Sequence, residues 1–509
     1  MAPSHGKGTT ADGPIALERT DVVDRLRAAL LALGYTGEAV RELLGEDAYQ
    51  GRSRDVPVHL RRLTSSTALE TAIRFFFLGA PVERAELGRA LASLTVDELG
   101  ELGVAEPAGN MVRATVRIVP QADLLLAGNR YPDETAAGGP VDYVATVTAP
   151  SAILGALTVR SPVRSTLDIG TGSGVQAIWA AKHSERVVAV DVNPRALNLA
   201  AFNARLNEVE NIEFRAGSLF EPVAGERFDL VLCNAPYVVS PDTRYAFRDG
   251  GAYSDGFSER LVREAPDHLE EGGFAHLLVS WIVEGEDWAE RPRKWLDGSG
   301  CDAWLLLGAS RDPVTYGAIW NEELSRDPDA FGETLDRWIA YLGEIGADAV
   351  IEGAVLMRRR TGATRWFRAD RVPAGHPAPA SDHVLRVFDA NDHLAALADD
   401  AALLDESLRV DEHVRAEQEL TFGKGGYVVE SMTLVLDEGL GFRAGVDQNT
   451  AALLPFVDGS RTLREAIDAA AKSRAIDADD LDAFTTGALE IARTMLALGF
   501  LALGPTGRA

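Results

Sequence analysis

Two short segments of this chain carry residue types suited to chemistry. The first, residues 168–174, reads Asp-Ile-Gly-Thr-Gly-Ser-Gly and ends an apolar run that predicts a buried parallel strand. Its glycines permit backbone angles and close approaches that a Cβ atom forbids, so a ligand can lie against the main chain. From Val175 the pattern is helical, which places free N–H groups and a positive dipole end beside the turn. The second segment, residues 234–237, reads Asn-Ala-Pro-Tyr and follows another apolar run.

An acid at the end of the next predicted strand indicates a ligand that contains ribose. The apolar run 186–191 ends at Asp191, about 20 residues after Gly170, which is the spacing at which such an acid reaches ribose hydroxyls. Asn193 and Pro194 are typical of the N-cap and first residue of a following helix. A dinucleotide-binding fingerprint would need glycine where Val175 stands, and a phosphate loop would need lysine there. Both of these nucleotide-binding interpretations are therefore weakened.

The segment 234–237 has the residues needed to hold a planar nitrogen. It follows the carboxyl end of an apolar strand, where ligands bind in open α/β sheets. An amide or aniline-like nitrogen is a poor nucleophile because its lone pair is delocalised. The Asn234 side-chain oxygen and the Ala235 carbonyl can each accept one N–H and so aim that lone pair. Pro236 stiffens the corner, and the Tyr237 ring can lie against a planar group.

Together these residues resemble the methyltransferases of the seven-stranded Rossmann-like class, which use S-adenosylmethionine (SAM). The resemblance implies that the glycine turn lies against the methionine part of SAM and that Asp191 holds its ribose hydroxyls. The segment after the third strand would meet the adenine, with Ser218 where the family often has aspartate. The cofactor-binding residues implied in this way are Asp168, Gly170, Thr171, Gly172, Gly174, Asp191, Val192, Asn193, Ser218, Leu219 and Asn234.

The corner resembles the Asn-Pro-Pro-Tyr motif of methyltransferases that act on release-factor glutamines and on exocyclic amines of bases. Ala235 stands where that family usually has its first proline. The stretch 249–257, with its glycine-rich sequence around Asp255, resembles a loop of the release-factor glutamine methyltransferases, particularly of their archaeal and eukaryotic branch. The resemblance implies a SAM-dependent N-methyltransferase with a protein glutamine as the leading acceptor. The catalytic residues implied are Asn234, Ala235, Pro236 and Tyr237.

Two other interpretations stay open. The acceptor could be an exocyclic amine of a base in RNA or DNA, or the chain could be a SAM-binding scaffold or regulatory protein in which Ala235 and Ser218 mark lost catalysis. A formal charge of −27 and a pI near 4.8 count against a nucleic-acid partner, because such binding rests on lysine and arginine. The basic run 358–360 is expected to be solvated or anchored to neighbouring acids.

The composition is that of a soluble globular protein, with 46% apolar and 25% charged residues. No apolar run reaches membrane-spanning length, and residues 1–13 lack the charged start and apolar core of a signal peptide. The two cysteines, Cys233 and Cys301, support neither a disulfide framework nor a cysteine zinc site. We therefore expect a cytoplasmic protein with no metal and no membrane partner, and its oligomeric state stays open.

At 509 residues the chain is long enough for about three domains. The predicted fold class is α/β, a seven-stranded Rossmann-like methyltransferase sheet flanked by N- and C-terminal mainly helical, winged-helix-like domains. Strands six and seven are expected at 303–307 and 349–357, around an insertion that could wall the acceptor pocket and that contains a helix over 332–345. A helix is also expected over 394–419. The expected boundaries are 1–15 for a disordered start, 16–119 for the N-terminal domain, 120–372 for the methyltransferase domain, 373–383 for a linker and 384–509 for the C-terminal domain.

Overall fold

The computed structural model of the chain describes residues 13–49, 53–131, 142–234, 236–242, 253–360, 362, 365–373, 379–423 and 426–504. The chain divides into two units. The first comprises Met1–Leu154, Pro162–Asp297 and Ala309–Glu352, and the second comprises Gly155–Ser161, Gly298–Gly308 and Gly353–Ala509. Every helix in these described ranges is too short or too polar to cross a membrane.

Short helices and a small antiparallel sheet form the N-terminal part of the first unit. The helices are α1 (Thr20–Ala32), α2 (Gly37–Leu44), α3 (Val56–Leu60), α4 (Ala68–Ala72), α5 (Arg84–Ala90) and α6 (Val96–Leu102). The strands are β1 (Val82–Glu83), β2 (Ala105–Ala108) and β3 (Met111–Ala114), with β3 in the middle. A hairpin of β4 (Val116–Gln121) and β5 (Leu124–Asn129) follows. A π-helical turn, Ile73–Phe77, continues α4.

The large sheet has the Rossmann-like topology that the sequence predicted. Its strands are β6 (Val163–Ile169), β7 (Ser184–Asp191), β8 (Ile212–Ala216), β9 (Phe228–Cys233), β10 (Leu269–Val283), β11 (Cys301–Arg311), β12 (Ala349–Arg359) and β13 (Phe367–Arg371). They are hydrogen-bonded in the order β13-β11-β12-β10-β9-β6-β7-β8. The α/β fold class is thereby confirmed. The sheet has one strand more than predicted, because β13 pairs in parallel with β11.

Strand β6 is the point at which the order of the sheet reverses. From β6 the chain first adds β7 and β8 on one side, and then β9 and β10 on the other, with all of these pairings parallel. Such a reversal leaves a crevice at the carboxyl ends of the two strands that flank it, here β6 and β9. The glycine turn follows β6 and Asn234 follows β9, so the two segments singled out in the sequence leave the sheet side by side.

Helices alternate with the strands of this sheet along the chain. They are α7 (Ala149–Leu157), α8 (Val175–Ala181), α9 (Pro194–Leu206), α10 (Gly256–Glu264), α11 (Glu290–Trp295), α12 (Pro313–Trp320) and α13 (Pro328–Glu344). Asn193 caps α9, because its side-chain oxygen accepts the Arg195 N–H, and Pro194 is the first helical residue, as predicted. The insertion between β11 and β12 contains α12 and α13, and α13 accounts for the helix expected over 332–345.

Helix α9 also belongs to the core of the N-terminal helices. Its side chains Leu199, Phe202 and Leu206 lie in one buried cluster with apolar residues of α1, α2 and the π-helical turn. Ahead of α1, the backbone of Ile15 exchanges two hydrogen bonds with the side chain of Asn198 on α9 (2.8 and 3.0 Å). Ile15 is the last residue of the expected disordered start, of which residues 1–12 lie outside the described part of the chain. The N-terminal helices and the sheet therefore share a core through α9.

One buried side chain on α9 ties the β4–β5 hairpin to the glycine turn. The Asn203 amide nitrogen donates to the carbonyl oxygens of Ala127 (2.9 Å) and Ser173 (2.8 Å), and its oxygen accepts from the Ala127 N–H (2.7 Å). Asn203 is fully buried, so water cannot replace these bonds. The glycine turn is thus supported from the side that faces away from solvent.

The C-terminal part of the second unit combines helices with two small sheets. Its elements are α14 (Ser381–Ala396), β14 (Ser407–Val410), β15 (Val414–Gly423), β16 (Gly426–Leu436), β17 (Arg443–Gly445), α15 (Gln448–Leu453), β18 (Asp458–Thr462), α16 (Leu463–Ser473), α17 (Leu481–Ala497) and β19 (Leu501–Leu503). The sheets have the orders β18-β14-β19 and β15-β16-β17. Thr462 and Glu465 form a capping box at the start of α16.

The prediction of a helix over 394–419 is wrong. Helix α14 ends at Ala396, and residues from Ser407 onward form β14 and β15. The stretch 412–419 is rich in glutamate, arginine and glutamine, which favour helix locally, but β15 pairs with β16 along its whole length, from Val414 to Gly423. Such cross-strand pairing outweighs the small differences in intrinsic helix propensity.

Replacing Asn203 by alanine is expected to lower the free energy of unfolding by at least about 2 kcal/mol, because three buried backbone groups lose their partner. Urea denaturation of the full chain, followed by circular dichroism, measures this change. Glu42→Ala, at an exposed position on α2, serves as the control and is expected to change stability by less than about 0.5 kcal/mol. Equal stability of the two variants would contradict the support assigned to Asn203.

Candidate active site

A cavity of about 600 Å³ opens in the first unit where β6, β7, β8 and β9 end. It brings together residues from all four of the segments that follow these strands. The sequence-predicted site residues that line it are Gly170, Thr171, Gly172, Asp191, Val192, Asn193, Ser218, Leu219, Asn234, Pro236 and Tyr237. Asp168 and Gly174 do not line it, and Ala235 lies outside the described residues.

The glycine turn is left-handed at each of its three glycines. The φ angles are +67° at Gly170, +55° at Gly172 and +82° at Gly174, where residues with a Cβ atom are strained. A Cβ at Gly174 would lie 2.9 Å from the Cβ of Ala200 on α9. Gly174 is therefore needed for the close packing of the turn on α9, whereas Gly170 and Gly172 present bare backbone to the cavity.

Asp168 lies behind the turn. Its Oδ2 atom accepts hydrogen bonds from the Thr171 hydroxyl (2.7 Å) and from the Ala177 N–H in α8 (3.1 Å). The carboxyl group is 1% exposed, and this burial raises its pKa to about 7. In this position Asp168 holds the turn against the start of α8, and the resemblance to known methyltransferases had instead suggested a place beside the cofactor.

Asp191 joins the turn to the start of α9 and faces the cavity. Its Oδ2 accepts the Gly172 N–H (2.9 Å), and its Oδ1 accepts the Asn193 N–H (2.8 Å). Burial raises the pKa of this carboxyl, and the two backbone hydrogen bonds oppose that shift. Each carboxylate oxygen can accept a further bond. Asp191 can therefore hold two neighbouring hydroxyl groups of a ligand while it fixes the glycine turn.

The corner after β9 is anchored on both sides. The Asn234 amide nitrogen donates to the Ser151 hydroxyl at 3.3 Å, and that hydroxyl also bonds the Thr148 hydroxyl at 2.9 Å. The Tyr237 carbonyl oxygen accepts a hydrogen bond from the Ser280 hydroxyl on β10. Burial raises the pKa of the Tyr237 phenol, so its ring is neutral. With its nitrogen turned to Ser151, Asn234 keeps its side-chain oxygen for another partner.

Part of the cavity wall was not identified from the sequence. Tyr143 and Thr146 precede α7, Ser151 lies in its first turn, Phe257 is on α10 and Trp320 ends α12. No motif or spacing marks the first three, although they fall within the stretch that resembles methyltransferases. Trp320 belongs to the insertion between β11 and β12, which was expected to wall the acceptor pocket. This residue lines the cavity.

The cavity is poor in charge. Among the described residues that line it, Asp191 is the charged side chain, and none is lysine, arginine or histidine. Its volume is within the range of roughly 300–1,000 Å³ that is usual for small-molecule sites. A glycine cradle, an acid placed for hydroxyl groups and a wall without basic side chains fit a ribose-containing ligand that carries positive charge. SAM has these properties.

Comparison with known proteins agrees with this geometry. Residues 148–284 match the family described as Methyltransferase small domain. A protein of Methanocaldococcus jannaschii named as an N5-glutamine methyltransferase is 40% identical over 128 residues, which are 24% of this chain and 64% of that protein. The central domain is a class I methyltransferase domain. Its cofactor is SAM. Residues 32–115 and 386–503 each match a domain of unknown function (DUF7059 and DUF7782).

Two further relatives differ in the acceptor that their names state. The release factor glutamine methyltransferase of Aliivibrio fischeri is 33% identical over 136 residues, 24% of this chain and 48% of that protein. The ribosomal RNA small subunit methyltransferase C of Alcanivorax borkumensis is 32% identical over 132 residues, 26% of this chain and 34% of that protein. The chain thus spans less than two thirds of the length of each of these relatives.

Stability is expected to depend on pH through Asp168. Its pKa in the folded protein, about 7, is above the usual value for aspartate, so the folded chain holds a proton that the unfolded chain releases. The stability of the natural chain relative to Asp168→Asn should therefore fall as the pH rises from about 5 to about 8. Urea denaturation of both proteins across this range tests it, and a constant difference would contradict the raised pKa.

Asp191→Ala is expected to weaken SAM binding by about 10- to 100-fold, because hydrogen bonds from ribose hydroxyls to a carboxylate are lost. Isothermal titration calorimetry with SAM measures the affinity. Asp123→Ala is the matched control, because Asp123 is an exposed aspartate in the turn between β4 and β5 and pairs with Lys182. Unchanged affinity in Asp191→Ala would refute the ribose contact.

Proposed function

We propose that this protein is a SAM-dependent N-methyltransferase whose acceptor is a planar amide nitrogen, the side chain of a protein glutamine. The observation that carries the proposal is that Asn234 and Tyr237 line the same cavity as the glycine turn and Asp191. A group that can hold an amide thus lies beside the cradle for the methyl donor. When bound, SAM supplies an activated methyl group on a positively charged sulfur.

The residues of the corner act by positioning the acceptor. The Asn234 side-chain oxygen accepts an N–H of the acceptor amide, since its nitrogen is engaged by Ser151. Tyr237 is fixed through its carbonyl by Ser280, and its neutral ring lies along the flat amide. Alignment of this kind lowers the entropic barrier to transfer without a metal or a strong base.

Charge supports a protein acceptor over a nucleic acid. The described cavity wall lacks basic side chains, and the chain carries a formal charge of −27. In the second unit, Arg358 and Arg360 are paired with Asp302 and Asp392, so this basic run is neutralised within the fold. Two of the relatives are named as glutamine methyltransferases, which supports the same acceptor.

One observation favours a second candidate. The Alcanivorax borkumensis relative is named as a ribosomal RNA methyltransferase, and it matches over a similar number of residues. The exocyclic amine of a base in RNA is planar and carries N–H donors like an amide, so the same corner can hold it. The acceptor in this second proposal is therefore a base amine rather than a glutamine.

Transfer of the methyl group from labelled SAM distinguishes a protein glutamine acceptor from a base amine acceptor. The full chain is incubated with a protein fraction and, separately, with purified ribosomal RNA, and the labelled product is digested and identified by mass spectrometry. Methylated glutamine in protein is the expected result. Label in RNA alone would replace the first proposal by the second, and no transfer despite SAM binding would overturn both.

Asn234→Ala is expected to reduce turnover by about 100-fold or more, because the acceptor loses the oxygen that orients it. The affinity for SAM should stay within a factor of about three, since Asn234 is placed for the acceptor. Turnover is measured by labelled methyl transfer and affinity by calorimetry. The matched control is Asn449→Ala, at an exposed position of α15. Undiminished turnover in Asn234→Ala would contradict the role of the corner.

A further inference from the structure

The hairpin of β15 and β16 presents an apolar face in the second unit. Residues directly opposite each other in an antiparallel pair share a face, and successive residues alternate between faces. The register pairs Leu420 with Val429, and Phe422 with Tyr427 two residues further on. These four side chains therefore lie on one side of the hairpin, and we call them the ribbon face.

The ribbon face is open to solvent. Phe422 is 92% exposed and Tyr427 is 67% exposed, while Leu420 and Val429 are each nearly half exposed. Together they present roughly 400–500 Å² of apolar surface, given the size of aromatic side chains. A contiguous apolar patch of this size on a folded protein marks an interaction surface.

The ribbon lacks support from neighbouring strands near its tip. In the described part of the chain, β16 is the strand that pairs with β15, and β17 pairs with the base of β16 at Thr433, Leu434 and Val435. Over Gln418–Gly423 and Gly426–Met432 the sheet is therefore two-stranded. A two-stranded ribbon is marginally stable in water, so these residues gain stability from a surface that covers them.

The distribution of charge on the hairpin indicates what kind of partner covers the ribbon face. The paired residues of the ribbon face carry no charge, whereas Arg415, Glu417 and Glu419 lie on the opposite face by alternation. Of these, Arg415 forms an ion pair with Asp437 and Glu417 with Arg443. Glu430 is the extra residue at a bulge, between the pairs Glu419–Ser431 and Leu420–Val429. A charged partner therefore finds no opposite charge on the ribbon face. A chain with a charge of −27 can approach its own copy where the local charge is zero, which is the ribbon face.

We propose that the ribbon face is the contact between two copies of this chain, packed face to face about a twofold axis. Such a contact is self-complementary, as a twofold interface requires. The two faces together bury roughly 800–1,000 Å² when fully covered, which is the size of a weak, reversible interface. Phe422 and Tyr427 are its central side chains, and aromatic residues of this kind dominate the energy of protein contacts.

The test is the oligomeric state of the full chain in solution. Sedimentation velocity over a range of concentrations is expected to show a reversible dimer. The double variant Phe422→Ser/Tyr427→Ser should raise the dissociation constant by at least about 100-fold. The control is Thr421→Ala/Val428→Ser, because these two residues pair on the opposite face of the same hairpin. It should dimerise like the natural chain.

A second variant separates loss of contact from loss of the ribbon. Phe422→Glu adds a charge at a position that solvent already surrounds, so the hairpin should persist by circular dichroism while the dimer dissociates. A monomeric natural chain would overturn the proposal, and so would a dimer that survives both ribbon-face variants. Equal dissociation of the opposite-face control would overturn it too.

Discussion

The pairing of β6 with β9 is the constraint on which the site depends. These strands are separated by more than fifty residues of chain, yet they lie side by side, with Ile169 opposite Cys233. Because they are parallel and in this register, the glycine turn and Asn234 leave the sheet at the same edge. Neither segment could act alone, since one cradles a ligand against bare backbone and the other grips a planar group.

The bare backbone of the turn is held by three polar side chains, two of them behind the turn and one, Asp191, at the cavity. Asp168 bonds Thr171 and the start of α8, Asp191 bonds Gly172, and Asn203 bonds Ser173. The glycines permit the backbone angles of the turn, but ordering them costs more conformational entropy than ordering other residues. The hydrogen bonds offset this cost because they stabilise one conformation of the turn. Asp168 and Asp191 therefore stabilise the turn, and Asp191 can also bind a ligand.

The sequence was most informative where local signals agree with the fold. The β9 strand ends directly before Asn234 as predicted, because an apolar run ends there at a polar corner, and Asn193 caps α9 as its residue type indicates. The β13 strand was missed, since its burial is incomplete and arginines interrupt it. Ser151 and Trp320 reach the cavity through tertiary packing alone, and no spacing in the sequence records that. The helix expected over 394–419 failed because pairing between strands is not a local property.

The sharing of α9 between two parts of the fold has a consequence for how the chain can be divided. Residues 148–284 match a methyltransferase family, but Leu199, Phe202 and Leu206 complete a core most of whose other members come from the N-terminal helices and strands. A fragment cut at the family boundaries would expose that apolar stripe to water. We therefore expect that residues 148–284 do not fold stably alone, because the N-terminal part of the chain covers one side of this domain.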